Sequence, residues 1–527
     1  MAIHKMKKIW RYINDILLQF RDCFSREATF LWFLIVVVGL MTRSDHLGVS
    51  SIIRELLIDP KKYPSLIHFF HSTAWTLKRL QNKWIDIIRH SGYLFRLQGF
   101  IVLIGDGVKQ AKESRRMPGV KKLHQESEDS SKAEYIRGHF FGGIGVLVGN
   151  LKKLFCLPLS LTLQDGNETI LEWEGSEYKE DSHVRRLVRE ACNIAQALNE
   201  ECLLLLDRFF LTQPALEAIK EAAAKFGGKW PLILITRPKS NYTAWFKPDT
   251  QTAAAPEGAD GTNAETEKNS KPKRRRKPKA AKDGDKPKVE KPPLGEKVKI
   301  MDIFKLKATE FTKATLTLYG ESEEVSLFCV NLLWGRDLYQ ELRFVFVDWD
   351  GVKSVFVSTA LNMDPRKIAE LYCYRFKIET FFRAFKQSMA GFGYHFWTRR
   401  MPAFNIFATA EAMEAKIKAV TAKISKDSII STYHAIEGFV MFACIAMGII
   451  QLCSLRFANE INNNERRWMR TSNNGVPAEE TTIINLRFAL PILFRKCDEL
   501  ALARAIKARQ AADVIEQMSH SDLSESA

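Results

Sequence analysis

Apolar residues recur at helical spacing along the first 92 residues of the chain. Similar periodic segments follow one another there, including those around residues 52–58 and 75–88. In the first segment the apolar positions are Trp10, Ile13, Ile16, Leu17 and Phe20. A spacing of three and four residues places such side chains on one face of an α-helix. The pattern therefore predicts a helical region over residues 1–92.

From about residue 94 the pattern changes to short apolar runs bounded by Gly, Lys and Ser, which predict β-strands. The runs lie at residues 100–104, 140–148, 154–163, 202–206 and 232–235. Amphipathic stretches at 183–198 and 213–224 separate the later runs and predict helices. Three strands followed by alternating helices and strands indicate a mixed α/β unit over residues 93–247. Continuous apolar strands of this kind are usually buried on both faces.

The second half of the chain contains another strand-rich segment and then a helical end. Alternating or apolar runs predict a β-rich insertion over residues 299–361. Helical periodicity returns at Pro365, which is favoured in a first helical turn, with Asp364 as the N-cap candidate. We therefore expect a helix that completes the α/β unit within residues 362–400, followed by a helical C-terminal region over residues 401–527.

Two apolar runs could be mistaken for membrane spans. The run at residues 30–41 is shorter than the ~20 residues that cross a bilayer core. The run at 438–453 is also short, and it contains the polar residue Gln451. Both runs therefore favour buried core helices over membrane-spanning helices, and we expect no membrane partner.

The formal charge of the chain is +17. An excess of this size indicates a polyanionic partner, such as nucleic acid or an acidic membrane surface. Basic residues are concentrated at 271–279, inside a segment at 248–298 whose composition predicts a disordered linker. The role of its basic part, residues 266–299, stays open between a flexible DNA-tethering arm and a dispensable loop. The cysteines form no zinc-ligand spacing, so reduced thiols are expected.

One face of the helix that begins near Pro365 carries charged residues and a phenol. With about 100° per residue, four side chains fall within roughly 40° of Glu379. They are Tyr372, Arg375, Arg383 and Lys386. A separate arc of aromatic and aliphatic residues provides the packing face. By themselves, these charged side chains are also compatible with a solvated helix surface that is stabilised by ion pairs between residues four apart.

The spacing Tyr372-x2-Arg375-x3-Glu379-x6-Lys386 resembles the signature of bacterial DDE transposases of the insertion-sequence-four type. In that family two aspartates at strand ends complete the site. Here Asp106 follows the apolar run at 101–104, and Asp207 follows the run at 203–206. Either aspartate alone is compatible with a turn or cap residue. The two aspartates and the helix with Glu379 follow one another along the chain in the order that is typical of the family.

The resemblance implies a ribonuclease-H-like core whose catalytic, metal-binding residues are Asp106, Asp207 and Glu379. It implies two Mg²⁺ ions per site, which Mn²⁺ can replace, because two cations stabilise both oxygens of a phosphodiester displacement. It assigns DNA phosphate contacts to Tyr372, Arg375 and Lys386. Arg383 lies on the same helical face and is a further candidate for a phosphate contact, with an ordinary surface arginine as the alternative.

The resemblance also implies a cut-and-paste enzyme of the bacterial cytoplasm that works at the nucleoid. Its partner is double-stranded DNA, both terminal inverted repeats and target, bound by a homodimer on paired ends. Residues 1–92 are the region expected to bind the ends, although no clear helix-turn-helix signature stands out there. The alternative is a domesticated DNA-binding protein without cleavage activity, although all three acids are present.

Aromatic residues near the predicted site are candidates for stacking on an unpaired base. In the β-rich insertion these are Trp334 and Trp349. Core packing is the alternative for both residues.

Overall fold

A computed structural model describes residues 2–125, 133–175, 182–227, 232–248, 293–405, 409–462 and 475–511. The linker predicted at 248–298 lies almost entirely outside the described residues. Its disorder and its role in DNA tethering therefore stay predictions.

Helices surround a single sheet in the part of the chain that the structure describes. The helices are α1 (Ala2–Leu18), α2 (Glu27–Thr42), α3 (Ser50–Glu55), α4 (Tyr63–Phe70), α5 (Leu77–His90), α6 (Glu168–Trp173), α7 (His183–Leu198), α8 (Gln213–Lys225), α9 (Ile303–Leu306), α10 (Pro365–Tyr372), α11 (Lys377–Gln387), α12 (Ala410–Lys418), α13 (Lys423–Arg456), α14 (Ala458–Asn462), α15 (Glu479–Phe488), α16 (Leu490–Lys496) and α17 (Ala501–Lys507).

The strands all belong to that sheet. They are β1 (Arg96–Leu97), β2 (Phe100–Ala111), β3 (Lys121–His124), β4 (Tyr135–Asn150), β5 (Lys153–Leu163), β6 (Cys202–Leu205), β7 (Leu232–Thr236), β8 (Thr243–Trp245), β9 (Lys297–Lys299), β10 (Thr312–Leu318), β11 (Glu321–Trp334), β12 (Gln340–Trp349) and β13 (Val352–Ser358). The five apolar runs between residues 100 and 235 are thus all confirmed as strands.

The central strands run in the order β5–β4–β2–β6–β7. The first three pair antiparallel, whereas β6 is parallel to both β2 and β7. Helix α8 connects the parallel neighbours β6 and β7, and α7 is the last helix on the longer path from β2 to β6. Parallel pairing requires crossover connections of this kind. All four residues of β6 are buried, in agreement with the expectation that its apolar run is covered on both faces.

The β-rich segment at residues 299–361 continues the same sheet. Strand β13 pairs antiparallel with β7 through Val357 and Thr236, and β12 and β11 follow outward. The segment therefore adds strands to the edge of the α/β sheet. Periodicity identifies these strands but does not reveal this pairing, because pairing between distant segments depends on long-range register.

The long apolar helix α13 lies inside the protein. An apolar window of this 34-residue helix has the composition of a membrane span, and 94% of that window is buried. The polar group of Gln451 donates to the main-chain oxygen of Cys156 at 3.2 Å, and the Glu437 carboxylate accepts from the Leu163 amide at 3.1 Å. Strand β5 thus provides a partner for the Gln451 amide nitrogen and for the Glu437 carboxylate, as expected for a core helix.

The helix predicted to continue from Pro365 past Glu379 is interrupted in the structure. Helix α10 ends at Tyr372, a 3₁₀ turn occupies Cys373–Phe376, and α11 begins at Lys377. Three of the four residues in the turn are Cys, Tyr or Phe, which have modest helix propensity because helical packing restricts their side chains. The Asp364 carboxylate accepts from the Arg366 amide at 2.9 Å, which confirms the predicted N-cap.

Two buried cations hold the turn that follows α11. Arg43 is 2% exposed, and its Nη2 donates to the main-chain oxygens of Met389 at 2.9 Å and Ala390 at 2.6 Å. Lys112, just after β2, donates to the oxygens of Phe392 at 2.6 Å and Tyr394 at 2.9 Å. These bonds tie the N-terminal helices and β2 to the end of α11.

We expect Arg43→Met to destabilise the protein by on the order of 3 kcal/mol, because the oxygens of Met389 and Ala390 would lose a buried donor. Burial lowers the pKa of Arg43 to about 10, because the buried charge is desolvated. Removing the charge therefore relieves that desolvation cost and offsets part of the loss. Urea unfolding measures the difference. Arg504→Met, at an exposed position, is the matched control and should change stability by less than about 0.5 kcal/mol.

Candidate active site

Asp106 and Asp207 lie at equivalent positions on two adjacent parallel strands. Pairing between β2 and β6 ends at Ile104 and Leu205, and each aspartate lies two residues further along its chain. Parallel register therefore places both carboxylates at the same edge of the sheet. Strand β2 does not end at Asp106 as the sequence predicted, because it continues to Ala111 in its pairing with β4.

The backbone around Asp207 fixes the direction of its side chain. Its Oδ1 accepts from the Phe209 amide at 2.5 Å and caps the short turn Arg208–Phe210. The Thr236 hydroxyl on β7 donates to the main-chain oxygen of Asp207 at 2.7 Å. Strand β7 thus fixes the main chain of Asp207, and the turn that follows fixes its side chain.

Arg375 joins the third acid to the first. Its Nη1 donates to Asp106 Oδ2 at 3.0 Å, and its Nη2 donates to Glu379 Oε1 at 2.6 Å. The 3₁₀ turn carries Arg375, and the first turn of α11 carries Glu379. The side chain of Glu379 is 59% exposed, whereas that of Asp106 is 20% exposed. One acid therefore faces solvent and the other faces the protein.

The carboxylates and the guanidinium influence one another electrostatically. Burial raises the pKa of Asp106 to about 6, Arg375 and the Gly107 amide lower it, and the charges of Asp207 and Glu379 raise it. Burial alone lowers the pKa of Arg375, but the surrounding acids and Tyr372 raise it overall. Asp106, Asp207, Arg375 and Glu379 thus form one interacting charge cluster.

Comparison with known proteins gave one family match. Residues 177–400 match the family model of the transposase DDE domain. The match contains Asp207, Arg375 and Glu379, begins after Asp106, and covers less than half of the chain. The comparisons with curated proteins and with solved structures gave no match. The DDE domain indicates an enzyme of the transposase type that acts on DNA.

The carboxylates of Asp106, Asp207 and Glu379 are side chains of the type that a hard divalent cation binds. Carboxylate oxygens are the ligands that Mg²⁺ prefers. Among the described residues, however, no three His, Cys, Asp or Glu side chains are arranged closely enough to hold a metal. Arg375 binds Asp106 and Glu379 instead. Because Arg375 pairs with oxygens of two of these acids, a divalent ion at the same oxygens would compete with Arg375.

A cavity of about 350 Å³ opens beside Glu379 and contains several residues that can bind phosphate. Arg208, Arg237 and Arg375 line it together with Tyr372. Burial raises the pKa of the Tyr372 phenol to about 12, so its hydroxyl stays protonated and available as a donor at neutral pH. The sequence-predicted Tyr372 and Arg375 are therefore brought together with two of the three predicted acids.

The residues of this cavity that sequence reasoning missed include Arg208, Arg237 and Tyr319. Arg237 follows β7 directly, so its strand-end position next to β6 was a usable signal. Tyr319 lies in the turn between β10 and β11 and is 68% exposed, and its ring lies 6.0 Å from that of Phe376. Only the fold brings this hairpin over the site, so no local pattern could have identified it.

The remaining predicted site residues lie in different surroundings. The Lys386 amine donates to the main-chain oxygen of Lys109 at 3.0 Å, and Arg383 is exposed on α11. Trp334 is 7% exposed and packs against Tyr242, with ring centroids 5.5 Å apart. Trp349 is half-buried against the core. Core packing, the alternative for both tryptophans, agrees with these positions.

We expect the rate of DNA cleavage to rise with pH through about 6. Asp106 is protonated below its raised pKa of about 6 and can bind a cation only after it loses that proton. Because metal and proton compete for the same oxygens, more Mg²⁺ should move the midpoint to lower pH. Initial rates between pH 5 and 8, at two Mg²⁺ concentrations and constant ionic strength, test both expectations. A flat profile would contradict the assignment.

Proposed function

We propose that the protein is a cut-and-paste DNA transposase of the insertion-sequence-four type. It binds the terminal inverted repeats of its element, cleaves the ends by hydrolysis and joins their 3′-OH groups to target DNA. The observation that carries the proposal is that Arg375 joins Asp106 to Glu379, while Asp207 follows the strand next to that of Asp106 and lines a cavity rich in arginines. The DDE domain at residues 177–400 supports it independently.

The three acids would hold two Mg²⁺ ions, and Mn²⁺ would substitute. When bound, such ions stabilise charge on the attacking and leaving oxygens of the phosphodiester. The mutual influence of the carboxylates supports this role, because Asp207 and Glu379 both raise the pKa of Asp106 and a cation would offset that repulsion. Arg375 partly offsets the same repulsion.

The cationic side chains of the cavity would bind the DNA backbone. Arg375 released from the acids can pair with a phosphate through two hydrogen bonds, and Arg208 and Arg237 lie in the same cavity. The Tyr372 hydroxyl can donate to a phosphate oxygen. Lys386 and Arg383, on the next turns of α11, would contact the strand further from the cut. Glu379 would approach the phosphodiester from the solvent side.

The other parts of the proposal follow the resemblance to the family. The strand order β5–β4–β2–β6–β7, with the last two strands parallel to β2, supports a ribonuclease-H-like core. The helical region at residues 1–92 would bind the inverted repeats, and a homodimer would hold paired ends in the bacterial cytoplasm. The charge of +17 agrees with such a polyanionic substrate.

A strand-transfer assay tests the proposal. Purified protein is incubated with labelled duplexes spanning the DNA that flanks the gene, plus a supercoiled plasmid, in Mg²⁺ or in EDTA. We expect cleavage at one defined position per end and transfer of the label to the plasmid, both only in Mg²⁺. Specific binding without cleavage in any metal would favour the domesticated DNA-binding protein instead.

A further inference from the structure

Two pairs of adjacent arginines that are distant in sequence meet at the surface of the protein. We call Arg115, Arg116, Arg399 and Arg400 the double-arginine patch. The Thr398 amide donates to the main-chain oxygen of Arg116 at 3.2 Å, and Arg116 Nη1 donates to the main-chain oxygen of Arg399 at 2.9 Å. The two segments are therefore hydrogen-bonded to each other, and their cationic side chains share one region of the surface.

Three side chains of the double-arginine patch carry a charge that no acid offsets directly. Arg115, Arg399 and Arg400 are exposed, and none of the three forms an ion pair within the part of the chain that the structure describes. Like charges held close together repel one another, and a bound anion offsets that repulsion. A guanidinium can bind a phosphate through two parallel hydrogen bonds. The patch therefore fits a partner that presents a row of phosphates.

A path of contacts leads from the acids of the candidate active site to the double-arginine patch. On one side of the path are β2 and the loop that follows it, and on the other are the 3₁₀ turn, α11 and the segment after α11. Residue numbers increase along both sides, so both lead away from the acids in the same direction. The side-chain contacts along the path join Asp106 to Arg375, Lys109 to Lys386, Lys112 to Phe392 and Arg116 to Arg399.

The length of β2 gives the distance between the acids and the patch. Asp106 lies five residues before the end of β2 at Ala111, which is about 17 Å at the rise of an extended strand. The loop then continues to Arg115, for at most about 31 Å from Asp106 in all. Phosphates of one DNA strand follow one another every ~3.4 Å along the duplex axis, so this span corresponds to about five to nine base pairs. Arg383, exposed on α11, lies along the same path.

We propose that the double-arginine patch binds the phosphate backbone of duplex DNA about five to nine base pairs from the phosphodiester that is cut. The acids hold the reacting phosphate, the path directs the duplex away from it, and the arginines neutralise the backbone where the path ends. This inference rests on the proposed function, because it assigns a further part of the same DNA to the protein. A duplex that ends before the patch cannot make these contacts.

Arg399→Gln combined with Arg400→Gln tests the charge of the patch. Both side chains are exposed, and the main-chain oxygen that receives Arg116 remains, so the midpoint of thermal unfolding should not change. Binding of the duplex of the strand-transfer assay is measured by fluorescence anisotropy in EDTA, so that no cleavage occurs. We expect about tenfold weaker binding, and a slope of log affinity against log salt that is smaller by about 2, because two phosphate contacts are lost.

Two further variants separate the charge from other effects of substitution. Arg399→Lys combined with Arg400→Lys keeps both charges and should retain the salt dependence of wild type, although it loses the paired hydrogen bonds of guanidinium groups. Arg504→Gln removes an exposed arginine on α17, outside the patch, and is the control. Its affinity and its salt dependence should equal those of wild type.

Single methylphosphonate linkages, which carry no charge, locate the contact along the duplex. Each probe has one neutral linkage at a different distance from the cut, on either side of it. We expect wild type to lose affinity when the neutral linkage lies about five to nine base pairs from the cut on one side. The glutamine double variant should show no additional loss at those positions, because the arginines that contact them are absent.

Several results would overturn the proposal. One is an equal salt dependence of wild type and the glutamine double variant. Another is a coupling of the arginines only to phosphates that adjoin the cut, which would place them at the catalytic acids. Normal binding and cleavage with reduced transfer to the plasmid would assign the patch to target DNA instead. The strand-transfer assay with wild type decides separately whether the proposed function stands, because binding in EDTA requires no cleavage.

Discussion

Glu379→Gln should abolish DNA cleavage while DNA binding persists. The substitution keeps the size of the side chain and removes one negative charge from the cluster of Asp106, Asp207, Arg375 and Glu379. An amide cannot replace a carboxylate as a charge-neutralising ligand of a divalent cation. We expect the rate of cleavage to fall by on the order of 10³-fold, which is about 4 kcal/mol of transition-state stabilisation.

The measurement separates chemistry from binding and from folding. Single-turnover cleavage with Mg²⁺ gives the rate, and anisotropy in EDTA gives the affinity for the same duplex. Affinity should stay the same or increase slightly, since Glu379 is 59% exposed and repels the DNA backbone. Glu414→Gln is the matched control, because Glu414 also forms an exposed ion pair with a cation four residues away. Cleavage that survives in Glu379→Gln would remove this glutamate from the proposed site.

The sequence predicted the elements that hold the acids because their patterns are local. The apolar run before Asp207 and the helical wheel around Glu379 each depend on a few consecutive residues. The parallel neighbours β2 and β6 then bring Asp106 beside Asp207, as the resemblance to the family implied. Strand β2 nevertheless continues past Asp106, and a 3₁₀ turn interrupts the predicted helix before Glu379, so the local patterns indicate where the acids lie but not where their elements begin and end.

Other features of the site depend on contacts between distant segments. Arg375 was predicted as a phosphate-binding residue, yet in the structure its guanidinium binds Asp106 and Glu379, because the 3₁₀ turn directs it toward β2. Arg43 lies behind α11 and donates to the main-chain oxygen of Met389, which is more than 340 residues away in the chain. Periodicity carries no information about such partners, which are fixed only when the N-terminal helices pack on the sheet.

The exposed aromatic residues illustrate the same limit. Trp334 and Trp349 were natural candidates for base stacking from residue type, but their strands place them in or against the core. The exposed rings near the acids include Tyr319 in a hairpin turn and Phe209 in the turn after β6. Both turns are short, and a few residues show no hydrophobic periodicity from which the exposure of an aromatic ring could be predicted.

Arg375→Gln should lower the free energy of unfolding in EDTA and increase the stability that the protein gains when a divalent metal is added. Arg375 pairs with two acids, and its loss leaves Asp106 and Glu379 without that partner. The pair with Asp106 is mostly buried, so we expect a loss of about 3 kcal/mol in EDTA at pH 8. The exposed pair with Glu379 contributes little to that value.

Added Mg²⁺ or Mn²⁺ should restore more stability to Arg375→Gln than to wild type, because in wild type the ion must first displace the guanidinium. An ion at 100 times its dissociation constant stabilises the fold by about 2.7 kcal/mol, and displacement reduces that value. Thermal unfolding in EDTA and over a metal titration measures both effects. Arg96→Gln, which removes an ion pair with Glu200 outside the cluster, is the control and should show the wild-type metal response. Equal metal responses of wild type and Arg375→Gln would mean that the ion and Arg375 do not share the carboxylates.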